Sequence, residues 1–560
     1  MRPEWFHSVY RFCPRLSSLS AVLVLSLVAV SVHLLPLSFS QFPFNNDGLT
    51  ESVTAQNIID DHHFHFPKLL SLDTTHSEGT PVFNVVLAFL SSALGVPVIR
   101  VSQFMVAMFA SLTIVGIYLI VHTMTGDRRA ALVSGLVAAF YGTFVFLTAS
   151  VWKESLGIAL FVLLLYAYSK RERTEMLALE AAILLVVPFV HHLAAFVCYM
   201  TVGYLTLWSW IFAVRRGQLR TRHYYDLAVA VVPPAIALTY YYLVSFGRLS
   251  YFDPETGLLP MVVIVLAISI VSSLVLFRRS HWRGTFSPIP AVAVLALVVW
   301  DYYNPIFQYE PAVGEGYYFT LIVATAALVS IAWYGLERVI ESSSPFRAIP
   351  IGALLPAITI LGFAFLSPSV ENKHQLVYRS FDFADPAIFI CIGFATSLLA
   401  HERKRRRFVA LAAVAVVLAL ITLPFGLYTE ELTGVRHDTQ DYEVDAVRWV
   451  VEGVEGRSPY VMSDERISYI CASMFGVGKD TRLPSYLSDN MDLAPDVYYF
   501  YEESWSEEGV NDYPRGTVVI SDTYMAALLS AENVLYVGGD VEDQAIIFMA
   551  TGIGQAASNW

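Results

Sequence analysis

The sequence predicts an all-α polytopic membrane protein that ends in a small α/β domain, and three observations carry that prediction. The chain has 560 residues, of which 56% are hydrophobic and only 15% charged, too apolar for a string of soluble domains. Uncharged runs of roughly 18 or more residues, the length a helix needs to cross ~30 Å of hydrocarbon, recur from Ala21 to the neighbourhood of Leu427. Beyond that point acid collects: residues 428–560 hold 24 Asp/Glu against 7 Lys/Arg, a balance of −17, so residues 1–427 total +4 within the overall −13. The boundary is therefore expected between a multi-pass part, 1–427, and an acidic part, 428–560.

The apolar runs open near Ala21, Pro81, Val101, Ala130, Leu156, Met176, Leu193, Leu227, Leu259, Ile289, Tyr317, Ile349, Ala387 and Phe408, fourteen in all. If every one crossed, the basic tail Arg2, Arg11, Arg15 and the basic loop Lys170, Arg171, Arg173 would face opposite sides, against the bias that keeps Lys and Arg in the cytoplasm. Reading the run from Pro81 to Val96 as a re-entrant or interfacial helix leaves thirteen crossings. It also places 22 basic residues inside against 6 outside within 1–427. The N-terminus is then cytoplasmic and residues 428–560 are extracellular. The first apolar run is read as a retained span, because it is long for a signal peptide and the charges balance with it in place.

In the acidic part, a helix-like stretch from Glu443 to Gly453 precedes a strand-like Pro459 to Met462. Thr517 to Ile520, a helical Tyr524 to Ser530 and a strand-like Asn533 to Val537 follow, an alternation that predicts an α/β domain. The four cysteines, Cys13, Cys198, Cys391 and Cys471, have no obvious partners and form no Cys-x-x-Cys pair, which argues against a disulfide framework and a zinc ribbon. Such an acidic exterior repels nucleic acid and suits concentrated salt.

A membrane enzyme working on the outside must place its acids and bases in the outer loops. The first of these, 41–100, carries Asn45-Asn46-Asp47-Gly48, a polar helix from Leu49 to Ile59 and the string Asp60-Asp61-His62-His63-Phe64-His65. Asp47 lies within a few residues of the interface, where a lipid head group sits; a turn or helix cap would also use an Asp-Gly pair. Asp60, Asp61, His62, His63 and His65 are weak metal candidates, because adjacent side chains diverge and at most two can converge on one ion. The second outer loop is Ser150-Val151-Trp152-Lys153-Glu154, short enough to hold Lys153 and Glu154 at the surface. The third turn holds His191 and His192. The fifth loop has Trp300-Asp301-Tyr302-Tyr303, Glu310 and Glu315, and the sixth has Glu371, Lys373, His374, Arg379, Asp382 and Asp385. Arg379 has the guanidinium fork that matches phosphate oxygens.

An acidic residue just outside the first helix, a long first outer loop ending in a Pro-led helix, and an acidic residue opening the fourth crossing together resemble the GT-C superfamily. These are integral membrane glycosyltransferases that use polyprenyl-phosphate sugars. The resemblance covers about three quarters of the chain as layout. It implies that Asp47 is the catalytic or substrate-positioning carboxylate and that Glu154 is the second-loop acid. The chain departs from the oligosaccharyltransferase branch, whose second loop has paired acids flanking one residue, because position 152 is Trp. That branch's Trp-Trp-Asp signature has no match after Leu427. The layout is nearer to protein O-mannosyltransferases and lipid A aminoarabinose transferases, which move single sugars from dolichyl or undecaprenyl monophosphate.

Such chemistry needs few residues. One carboxylate accepts the acceptor hydroxyl's proton, and the leaving phosphate needs charge stabilisation more than protonation. The expected site is therefore Asp47 as base, Glu154 orienting the acceptor or holding a divalent Mg or Mn ion, and Arg100, Lys153, His191, His192 and Arg379 binding substrate. The expected partners are a polyprenyl-phosphate-linked sugar, a glycan, lipid or protein acceptor, and membrane lipid, and the resemblance implies inversion at the sugar carbon. Two rival classes are a secondary transporter or lipid-linked-sugar exporter and a non-catalytic scaffold. A transporter normally carries ionisable residues near the bilayer midplane, where this chain has only Glu180 and His33.

Overall fold

The computed structural model describes residues 18–45, 47–64, 79–244, 259–277, 315–341, 348–366, 373–401, 405–427, 438–453, 459–489, 497–506, 510–512, 516–539 and 544–549, with a few isolated positions between them. Helix α1 (Ser18–His33) leads through a 3-10 turn (Leu35–Ser38) to α2 (Asp47–Asp61), followed by α3 (Val82–Leu94), α4 (Val98–Thr125), α5 (Arg128–Phe140) and α6 (Gly142–Ala149). Then come α7 (Lys153–Ser169), α8 (Thr174–Val186), α9 (His192–Arg215), α10 (Thr221–Val244) and α11 (Leu259–Phe277). Helices α12 (Glu315–Glu341), α13 (Ala348–Leu366), α14 (Lys373–His401) and α15 (Arg405–Leu427) complete the helical part. The expected span near Ile289 and the Trp300–Tyr303 string lie outside the described residues.

Among the described residues, seven helices are long and apolar enough to cross a bilayer, and α5 with α6 forms an eighth candidate bent by 68°. Helix α3 has 13 residues, about 20 Å at 1.5 Å per residue, which is short of the hydrocarbon thickness. It lies against α2 through Phe83, Leu87 and Ala88 and leaves Phe89 and Leu94 exposed. The bend between α5 and α6 falls at Tyr141, whose backbone is extended. Just past the bend, Gly142 admits a close approach: a Cβ there would sit 1.7 Å from the Thr422 carbonyl oxygen, so α6 and α15 touch backbone to backbone. Helix α14 starts 14 residues before Ala387, where the apolar run was expected to open, because it incorporates the charged stretch holding Arg379, Asp382 and Asp385. A hydropathy reading places those residues in a loop; burial places them in a helix.

The C-terminal part alternates as expected: α16 (Asp441–Gly453), β1 (Tyr460–Met462), α17 (Glu465–Phe475), β2 (Gly478–Asp480), α18 (Leu483–Ser488), β3 (Tyr498–Glu502), β4 (Val510–Asp512), β5 (Gly516–Val518), α19 (Asp522–Ala531), β6 (Asn533–Gly539) and β7 (Gln544–Met549). Five strands form a mixed sheet in the order β2-β1-β3-β7-β6, parallel from β2 to β3 and antiparallel beyond it, while β4 and β5 pair separately. Side chains alternate across this sheet. Phe500, Ala545 and Ile547 face Val447, Ile467 and Ile470 on one side, whereas Tyr499, Tyr501, Ile546 and Phe548 join Trp505 and Met525 on the other. Leu49 of α2 is buried in the first of these two layers, so the loop helix belongs to the packing of the sheet region as much as to the helical part.

Candidate functional site

Two short segments meet at one end of the helical part. The first leads from α1 to α2, and its turn is closed by Asn45, which takes the left-handed φ of 83° and accepts the Asp47 N–H on its side chain at 3.1 Å. The turn is thus closed by Asn45 rather than by the Asp47 carboxylate. The second segment, 150–152, joins α6 to α7. A backbone bond from the Val151 N–H to the Phe44 carbonyl, 2.9 Å long, ties the two together. Gly48 completes the join, because a Cβ there would lie 2.6 Å from Pro43 Cβ and 2.9 Å from Val151 Cβ.

This join brings Asp47, Lys153, Glu154 and Arg379 into one neighbourhood. Glu154 is only 2% exposed, its nearest cation is Arg379 with Nε 3.9 Å away, and Asp47 lies within electrostatic reach. Asp382, one helical turn beyond Arg379 on α14, is fully buried and interacts electrostatically with Glu154, Asp385 and Arg379. Among the described residues, none of the four carboxylate oxygens of Glu154 and Asp382 has a hydrogen-bond donor. Lys153 points elsewhere: its Nζ is 3.3 Å from Glu51 and 3.1 Å from the Thr80 hydroxyl, both within a buried cluster. Burial pushes the Glu51 carboxyl above the ordinary range while Lys153 and the Asn84 amide draw it back.

The C-terminal sheet region reaches the same place. Ser40 donates to the Thr439 carbonyl at 2.7 Å, Gln41 bonds Asp441, and Thr50 bonds Ser473 of α17 at 3.0 Å. Helix α17 thereby presents Tyr469 within hydrogen-bonding reach of Asp47, and Lys479 sits 4.6 Å from the centre of the Tyr469 ring. Burial first, and then Asp47 and Glu465, push the Tyr469 phenol upward; burial and Asp47 do the same to Glu465. Neither Tyr469 nor Asp382 stands out in the sequence as a site residue. The signal for Asp382 was the helical spacing of Arg379, Asp382 and Asp385, and for Glu51 the four-residue step from Asp47.

The other sequence candidates are more scattered. Arg100 is exposed in the first turn of α4, next to Ile99, which packs on the sheet region. His191 is buried at the start of α9, where its Nδ1 accepts the Ala194 N–H at 3.4 Å, and its ring lies 4.8 Å from that of His192. Asp60, Asp61, His62 and His63 are exposed at the end of α2, with Asp60 accepting from Gln56 and His63 bonded to the Asp61 carbonyl. His65, Glu310, Glu371 and the Lys68 side of the loop lie outside the described residues, as do the side chains of Glu315, Lys373 and His374. Among the described residues, no group of three or more His, Cys, Asp or Glu could hold a metal ion.

No protein-family model matches the chain, and no curated protein matches it in sequence. Solved structures do match in shape. The archaeal oligosaccharyltransferase AglB from Archaeoglobus fulgidus, in complex with an inhibitory peptide and a dolichol-phosphate, superposes with a TM-score of 0.54 at 13% identity, over 94% of this chain and 74% of that one. The same enzyme in complex with Zn and sulfate gives 0.54 at 14% identity, over 94% and 73%. The arabinofuranosyltransferase AftD from Mycobacteria gives 0.50 at 12% identity, over 94% of this chain and 40% of that one. The chain has the GT-C fold.

Proposed function

We propose that this chain is a membrane glycosyltransferase that moves a sugar from a dolichyl or undecaprenyl phosphate to an acceptor on the outer face of the membrane, with inversion. The observation that carries the reading is the bonded junction of the Asp47 and Glu154 segments on a GT-C fold, with a half-buried arginine beside the second acid. The neighbour holding a dolichol-phosphate and a peptide supports a lipid-linked donor and a separate acceptor. In this reading residues 1–427 form the membrane part, and residues 428–560 form an outer domain that covers the acceptor side with Tyr469 and Glu465.

The reaction balances with the groups of the site. The acceptor oxygen attacks the anomeric carbon and gives its proton to Asp47, the bond from that carbon to the phosphate oxygen breaks, and the electron pair leaves with the lipid phosphate. Arg379 steadies the charge that develops on the phosphate. A divalent Mg or Mn ion fits the donor chemistry, because Asp47 and the undonated oxygens of Glu154 are hard ligands. When bound there it supplies charge neutralisation for the phosphate.

Transfer from a panel of polyprenyl-phosphate sugars tests the reading. Asp47→Asn keeps the shape and loses the proton acceptor, so donor binding should persist while turnover falls by ~10² to 10⁴. Arg379→Ala should chiefly weaken donor binding. Full activity in Asp47→Asn would remove the base assignment, and no transfer by the intact protein from any donor would remove the reading itself.

A further inference from the structure

We propose that Gln103 is a positioning residue that locks the Asp47 segment to the Glu154 segment, an assignment that rests on the glycosyltransferase reading of that site. Its carboxamide lies in the first turns of α4 and is fully buried. Oε1 accepts the Phe44 N–H at 3.1 Å; Nε2 donates to the His33 carbonyl at 3.0 Å and to the Ala149 carbonyl at 2.9 Å. Those three backbone groups belong to three different pieces of chain: the end of α1, the segment running to Asp47, and the end of α6 from which the chain runs to Glu154.

The requirement for an amide follows from its inventory. Buried backbone groups must be paired, and here one acceptor and two donors are needed at a single point. Asn and Gln alone combine a carbonyl oxygen with an NH₂ group, and from this helix only the longer side chain is seen to reach. The direct bond from Val151 to Phe44 and the contact of Gly48 with Pro43 and Val151 leave no slack between the segments, so a shift at Gln103 passes to the carboxylates. A displacement of about 1 Å in a reacting group costs on the order of 10²-fold in rate. A neighbouring bond supplies the control. His33 Nε2 and the Thr148 hydroxyl, 2.7 Å apart, tie α1 to α6 but touch neither segment.

The test uses the full chain in lipid nanodiscs and has one readout independent of activity. Pro43→Cys with Val151→Cys places two thiols on either side of Gly48, and their rate of oxidation to a disulfide reports how closely the segments are held. Gln103→Leu should slow that oxidation several-fold, and Thr148→Val should leave it unchanged. In the parent background Gln103→Leu should lower turnover by about 10²-fold with donor affinity kept, whereas Thr148→Val at a similar loss of melting temperature should cost far less. Gln103→Glu, which keeps the acceptor and removes both donors, is carried in parallel in case the leucine variant does not accumulate. Oxidation as fast in both Gln103 variants as in the parent overturns the proposal whatever happens to turnover. Absence of transfer in the parent protein would overturn the glycosyltransferase reading instead, while the disulfide rates still decide whether Gln103 holds the two segments.

Discussion

Two buried charge clusters in this molecule have opposite characters. In the sheet region the Arg466 guanidinium bonds Glu443 and Glu502, with Asp464 3.8 Å from its Nε, and all four groups are nearly inaccessible. Glu443 also accepts the Gln440 N–H at 2.7 Å and Asp464 the Ile467 N–H at 2.9 Å, so apart from one oxygen of Glu502 the cluster is closely bonded. At one end of the helical part, Glu154 and Asp382 are as deeply buried, yet their four oxygens have no donor among the described residues and share one partly exposed arginine. Burying a charge without partners costs several kcal/mol. The charges of the first cluster are therefore compensated within the fold, whereas those of the second carry an uncompensated electrostatic cost.

The largest expected effect separates the two clusters directly. Arg466→Met leaves three buried acids without their cation and should destabilise the sheet region by about 3–5 kcal/mol, seen as early loss of protease resistance after residue 438. Glu154→Gln removes a charge that has no donor among the described residues, so it should melt at or above the temperature of the parent protein while, in its proposed role of orienting the acceptor or holding the ion, slowing transfer about tenfold or more. If Glu154→Gln unfolds the protein as Arg466→Met does, the second cluster is structural and the contrast fails. A smaller effect sharpens the picture of Asp47: Tyr469→Phe should slow transfer with donor affinity unchanged, because it removes one neutral donor near Asp47, the proposed base, and nothing else. Unchanged turnover in that variant would confine the role of α17 to packing.

How much of this was legible in the sequence follows from where each contact comes from. The helices, the shortness of α3 and the alternation after Leu427 are local patterns, and period and length expose them. Asp47 and Glu154 could be singled out because each charge borders an apolar run. Asp382 was harder to single out: its helical spacing from Arg379 and Asp385 is visible, but its charge dilutes the apolar run it belongs to and makes a helix start look like a loop. Tyr469 and Gln103 were hidden for another reason: their partners at Asp47, Phe44 and Ala149 are distant in sequence, and nothing local marks a tyrosine in an amphipathic helix or a glutamine in an apolar one. Lys153 was visible, but its pairing with Glu51 through the fold of the first loop was not.

A further expected effect is a pH dependence confined to the bonded cluster. Burial, and then the neighbouring Glu502, push the Asp464 carboxyl from its ordinary 3.8 up to about 8, against the Ile467 N–H that favours its ionised form; Arg466, Glu443 and Glu465 are the other charged groups beside it. The folded protein therefore keeps a proton on Asp464 that the unfolded chain, with an ordinary aspartate near pH 4, releases. Where the folded state binds more protons, stability falls as pH rises, so melting temperature should decline between roughly pH 4 and pH 8 and level off above. Asp464→Asn keeps an oxygen for the Ile467 N–H and cannot ionise, so it should match the parent near pH 5, melt higher near pH 8 and show a flatter profile. Glu154→Gln, in the other cluster, should leave the slope of the sheet region as it was. Scanning calorimetry of the three proteins across this range decides the matter. A parent profile that rises with pH, or a slope that survives in Asp464→Asn, would mean that Arg466 holds Asp464 ionised, and the bonded cluster would then be an ion pair network at full charge rather than one that keeps a proton to stay buried.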